Sequence, residues 1–119
     1  MNEGKNKEIH ERIYQFVLSV LRYIKILPRS FENQVLVAQL IRSVTSIGAN
    51  DQEAAGTFTR ADFAHCYTLV RKEAKESLFW LRLLGDCNSG SKFNTSRLLV
   101  EGDEIVRVVT AIIFSTKKK

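Results

Sequence analysis

The sequence predicts an all-α protein, an antiparallel up-and-down four-helix bundle, and three observations carry that prediction. Apolar residues recur three and four apart through four long stretches, the spacing that gathers side chains on one face of a helix. One proline and six glycines in 119 residues leave too little turn-forming material for a protein of many short strands. The connections after the first two stretches are short, which makes successive helices antiparallel neighbours. A chain of this length fits a single domain over residues 1–119, with one substantial core.

Met1 to Asn6 is polar and is expected to fray. From about Lys7 to Lys25, Ile9, Ile13, Phe16, Val17, Val20, Ile24 and Leu27 form the inner stripe of a first helix. Tyr14, Leu18 and Leu21 widen the apolar surface beyond what one core needs, which points to a neighbouring subunit. Leu27-Pro28 stops the helix, because the residue before proline is steered away from the α region and proline has no N–H to donate. Ser30 is placed to cap the next helix.

The second helix is expected over Phe31 to Ala55, ending at Gly56, which can take the left-handed conformation common past helix ends. Val37, Leu40, Ile41, Val44 and Gly48 form its apolar stripe. Beside them run Arg42, Ser46, Asn50 and Glu53, separated by four, four and three, among small residues such as Ser43 and Ala49 that permit close approach. Arg42 and Glu53 lie roughly 16 Å apart along the axis. They cannot pair with each other, so each must look to another helix or to water.

Thr57 to Arg60 is the next turn, with Thr59 and Asp62 spaced as a capping box for a third helix over about Arg60 to Leu84. Phe63, Cys66, Tyr67, Val70, Ala74, Ser77, Leu78, Leu81 and Leu84 share its inner face. Leu69, Glu73, Glu76 and Trp80 form the adjoining line, so Glu73 and Glu76 are the expected partners of Arg42. Trp80 reads as a packing anchor. Gly85 to Asn94, rich in Gly, Ser and Asn, reads as an exposed loop with Phe93 tucked back and Asn94 or Thr95 capping a fourth helix. That helix, roughly Ser96 to Ser115, carries Leu98, Gly102, Ile105, Val109 and Ile112 on one stripe, broadened by Val106, Val108 and Ile113. Lys117 to Lys119 closes the chain as a basic tail.

This order of residues is informative as a set. QL-RS--SI-AN--EA between Gln39 and Ala54, the Asp62-Phe63 pair, Glu73, Glu76 and Trp80-Leu81, with Leu27-Pro28 upstream, resembles the bacterial four-helix-bundle proteins encoded in intervening sequences of large-subunit (23S) ribosomal RNA genes. The resemblance covers about Ile9 to Leu84 and, more loosely, the last helix. Asp51 stands where that family often has an apolar residue, and Gly48 where it commonly has proline. The resemblance implies a ring-like homo-oligomer, a homopentamer, and kinship with the accessory variability protein of diversity-generating retroelements, which binds nucleic acid and a reverse transcriptase.

Composition narrows the function. Eighteen Lys and Arg against thirteen Asp and Glu give a net charge of +5, an excess that suits an acidic partner such as RNA. Two cysteines without CxxC spacing form neither a disulfide scaffold nor a thiol-redox motif. His10 and His65 lie on different helices and make no metal-ligand pair. No glycine-rich phosphate loop or nucleophile elbow occurs. No enzyme, cofactor, metal or membrane span is expected, and the cytoplasm is the expected compartment.

The candidate nucleic-acid-binding residues are Arg71, Lys72, Lys75 and Arg82 on the third helix, and Arg22, Lys25 and Arg29 at the end of the first. No aromatic residue is read as interleaving these cations, so contacts are expected to be phosphate-directed and salt-dependent. The competing reading is a protein-interaction or structural module whose cations only keep it in solution.

Overall fold

The computed structural model describes residues 2–118, with side chains described from Glu8 onward. The start expected to fray at Met1 to Asn6 is helical from Asn2 onward, and Met1 and Lys119 lie outside the described residues. Four helices run in order, α1 (Asn2–Ile24), α2 (Phe31–Ala55), α3 (Arg60–Cys87) and α4 (Lys92–Lys118), with one short 3₁₀ turn over Ser89–Ser91. There is no strand among the described residues.

Each helix packs against its two neighbours in a cycle: α1 on α2, α2 on α3, α3 on α4 and α4 on α1, with the backbones of α1 and α3 at opposite corners. The buried centre draws Ile9, Ile13, Phe16 and Val20 from α1, Leu40, Val44 and Ile47 from α2, Tyr67, Val70, Leu81 and Leu84 from α3, and Ile105 and Val109 from α4. Polar pairs fix the register of α2 on α3. Asn33 bonds Asn88, Ser77 Oγ donates to Ser43 Oγ at 2.8 Å, and Tyr67 donates to Asp51. The α3 partners therefore fall in number as those of α2 rise.

The local signals act as their chemistry dictates. Past Ile24, the amides of Lys25, Ile26 and Leu27 bond carbonyls three residues back, and the buried Leu27 side chain anchors the turn into Pro28. Ser30 Oγ accepts the Asn33 amide at 3.2 Å and Thr59 Oγ1 accepts that of Asp62 at 3.1 Å, the two expected N-caps. Gly56 departs from expectation. Its φ of −96° is not left-handed, because the end of α2 is closed instead by Gly56 bonding Glu53 O, and by the amide and hydroxyl of Thr57 bonding Ala54 O.

The largest correction falls on Gly85 to Asn94. The expected loop is mostly helix, because α3 continues to Cys87 and α4 starts at Lys92. Long-range bonds close this corner: the amide groups of Asn33 and Asn88 exchange hydrogen bonds at 2.9 Å, and the Tyr23 hydroxyl meets both Ser91 and Thr95. Thr95 is thus a buried residue within α4 and caps nothing, and Asn94 also lies inside the helix. Phe93 does not tuck back; it is 72% exposed. A smaller correction concerns α2, whose buried face is Leu40, Ser43, Val44, Ile47, Asp51 and Ala54, with Ile41 turned outward.

Candidate nucleic-acid interface

The charged residues of the described surface fall into two groups by whether a carboxylate meets them. Arg12 makes a two-pronged pair with Glu101, Arg107 reaches Asp103, and Arg42 binds Glu76 and, at 3.4 Å, Glu73. Arg71, Lys72, Lys75 and Arg82 have no such partner among the described residues. Arg71 is half-buried and donates from Nε to Thr110 Oγ1 at 2.9 Å, which seats the guanidinium on the α3–α4 seam. Lys72, Lys75 and Arg82 are exposed. Their charges are therefore presented outward with no carboxylate in ion-pair contact, though Lys72 stands near enough to Glu76 to help hold that carboxyl low; exposed cations of this kind gain from contact with a polyanion.

Arg22, Lys25 and Arg29 are exposed as well, but they stand at the end of α1 and in the turn after it. The backbones of α1 and α3 take opposite corners of the cycle, while Asn33, which donates to both Pro28 O and Asn88, sets the turn that carries Arg29 at the same end of the bundle as the close of α3. Arg22 borders a groove between α1 and α4, which Arg97 and Glu101 also line. A second groove, between the start of α3 and the end of α4, is lined by Arg60, Thr68 and Lys117 and continues the α3 cations toward the far end of that helix.

The polar line expected on α2, Arg42, Ser46, Asn50 and Glu53, with Glu73 and Glu76 facing it from α3 as a structural polar network, forms only in part. Arg42, Glu73 and Glu76 meet on the α2–α3 surface, where Trp80 Nε1 also donates to Glu76 at 3.1 Å. The indole hydrogen bond first, and then Arg42, hold the Glu76 carboxyl below its ordinary pKa against the opposing effect of partial burial. Arg42 is 48% exposed, so this is a surface cluster. Ser46 and Asn50 turn back on their own helix, bonding the carbonyls of Arg42 and Ser46, and Glu53 is exposed.

A family model described as 23S rRNA-intervening sequence protein matches residues 5–111. The chain belongs to that family. A crystal structure of a protein of unknown function from the S23 ribosomal protein family of Bacteroides thetaiotaomicron is similar to this 23S rRNA-intervening sequence protein family member, with a TM-score of 0.83 and 29% identity over 92% of this chain and 97% of that one. No curated protein matches. Neither the family description nor that of the similar structure names an enzyme. No helix among the described residues is long and apolar enough to cross a membrane.

Two features of this 23S rRNA-intervening sequence protein family member escaped the reading of its sequence. The first is a buried cluster of Asp51, Tyr67 and His10, from three different helices: Tyr67 donates to Asp51 at 2.9 Å and the His10 imidazole approaches the same carboxylate. Burial first, and then the Asp51 charge, push the Tyr67 phenol well above its ordinary range. Only the placement of an acid at an otherwise apolar position hinted at it. The second corrects the view that no aromatic interleaves the cations. Phe79 stands seven residues after Lys72, four after Lys75 and three before Arg82, and is 56% exposed.

Proposed function

We propose that this protein is a non-enzymatic antiparallel up-and-down four-helix bundle, one domain throughout, that assembles as a ring-like homo-oligomer in the cytoplasm and binds RNA or another nucleic acid through its basic helix surface. The observation that carries the reading is the contrast between the cations of α3 and one arginine on each of the other helices. Arg12, Arg42 and Arg107 are each met by carboxylates, while Arg71, Lys72, Lys75 and Arg82 are not. The name of the family, which ties its members to ribosomal RNA genes, supports it.

Self-association is supported by apolar side chains left outside the core: Tyr14 on α1, Phe31, Val35 and Ile41 on α2, Val100 and Phe114 on α4. A homopentamer is the assembly that the family resemblance suggests. In such a ring the α3 cations of successive subunits would recur, multiplying weak phosphate contacts.

The test is a gel shift with structured RNA at low salt, using the wild type and a variant with Arg71, Lys72, Lys75 and Arg82 all replaced by Gln. Binding that is abolished in the variant supports the proposal; no binding, or binding unchanged by the substitutions, counts against it. The second reading is a protein-interaction module without a nucleic-acid role, favoured by the exposed Phe58 in the turn between α2 and α3 and the exposed Phe93 in the first turn of α4. Capture of partners from lysate before and after nuclease treatment separates the two, since partners that survive nuclease favour the second.

A further inference from the structure

We infer that Phe79 is a base-stacking platform, and that the α3 face takes an unpaired stretch of nucleic acid with one base on the Phe79 ring and flanking phosphates on Lys72, Lys75 and Arg82. The inference rests on the reading of α3 as a nucleic-acid surface and adds which form of nucleic acid it takes.

Three observations converge. Phe79 lies at i+7, i+4 and i−3 of the three cations, so all four project from one side of α3. The ring is 56% exposed at a mid-helix position, where an apolar group left in water gains nothing unless something covers it. It is also braced: the Trp80 ring stands edge-on at 4.9 Å and 72°, and Trp80 is in turn held by its bond to Glu76. One flank is thus occupied and the rest of the ring is open.

Charge selects the occupant. Glu76, the acid nearest in sequence, is engaged by Arg42 and Trp80. Asp86, seven residues beyond Phe79 on the same side, marks the end of the positive stretch. Between Lys72 and Arg82 the helix rises ~15 Å, which leaves room for a base on Phe79 with phosphates to either side of it. An apolar acyl or protein surface would cover the ring but strand the cations. A closed duplex would satisfy the cations but keep its bases stacked away from the ring. An unpaired strand satisfies both, and stacking on a protein aromatic does not depend on which base is present.

The test compares binding of a fluorescein-labelled twelve-residue oligoadenylate with that of a blunt duplex of the same length, by anisotropy at low salt. The emission of Trp80, the one tryptophan in the chain, serves as a second readout. The wild type is expected to favour the single strand and to show altered Trp80 emission. Phe79→Ala should cost about tenfold in single-strand affinity and less than twofold for the duplex, while Phe79→Tyr should retain both. Single-strand affinity unchanged in Phe79→Ala but reduced by Lys72→Gln, Lys75→Gln and Arg82→Gln would overturn the stacking role and leave the phosphate surface standing. Dissociation of subunits by Phe79→Ala in sedimentation would also overturn it, by making the ring a subunit contact. Failure of the wild type to bind either probe would remove the parent reading as well.

Discussion

The Nδ1 of His10 lies 2.7 Å from one carboxylate oxygen of Asp51 and 2.8 Å from the other, a contact between residues 41 apart that ties α1 to α2. Tyr67 of α3 completes the cluster from within the core. Asp51 is 1% exposed, so its carboxylate has exchanged water for these two donors.

Removing the acceptor should therefore cost more than the packing it takes away. Asp51→Ala leaves the fully buried Tyr67 hydroxyl without a partner and is expected to destabilise the fold by about 1–3 kcal/mol. Asp51→Leu combined with Tyr67→Phe, which removes both ends of the bond, should recover most of that loss. Urea denaturation of the single and double variants checks this; a double variant no more stable than Asp51→Ala would show that the cluster's worth lies elsewhere.

Glu76 provides a titration that separates its two partners. A carboxyl held below its usual pKa contributes stability that is complete above the unfolded value, near 4.5, and is lost as pH falls below it through the lowered folded value. The leading cause is the bond from the indole of Trp80. Trp80→Phe should therefore move the Glu76 carboxyl resonance, followed by NMR against pH, to a higher midpoint. A midpoint that stays put in Trp80→Phe would assign the effect to Arg42.

The corner between α3 and α4 depends on close approach at Gly85. A methyl group there would sit 2.7 Å from Thr95 Cγ2 and 2.9 Å from its Cβ, and Thr95 is held by Tyr23 and by the Ser91 carbonyl. Gly85→Ala is expected to cost about 1–3 kcal/mol through overpacking, and less in a Thr95→Ser background, where the nearest methyl is gone. Equal costs in thermal denaturation in the two backgrounds would contradict this account of the corner.

The contrast between this corner and the start of α2 shows what a linear reading can reach. The helix α2 starts at the expected Phe31 because Pro28 and Ser30 act on their immediate neighbours. The stretch from Gly85 to Asn94 carries loop composition, yet it is helical because Asn33 lies 55 residues and Tyr23 68 to 72 residues away in sequence and bond into it. Periodicity could place Arg42 opposite Glu73 and Glu76, since all three sit on neighbouring faces of adjacent helices. It could not show that Ser46 and Asn50 turn back onto their own backbone, nor that α1 and α3 take opposite corners of the bundle. Phe79 was missed because an aromatic at helical spacing is usually core, and only its exposure tells otherwise.

The most direct measurement is the salt dependence of the binding constant for RNA in three proteins: the wild type, the variant with Gln at Arg71, Lys72, Lys75 and Arg82, and one with Gln at Arg22, Lys25 and Arg29. Removing one cation that neutralises a phosphate should lower the slope of log K against log salt by about 0.7–0.9. The account predicts a slope reduced by about two to four in the α3 variant and close to the wild type in the α1 variant. A slope unchanged by the α3 substitutions, or one that falls only with those on α1, would contradict it.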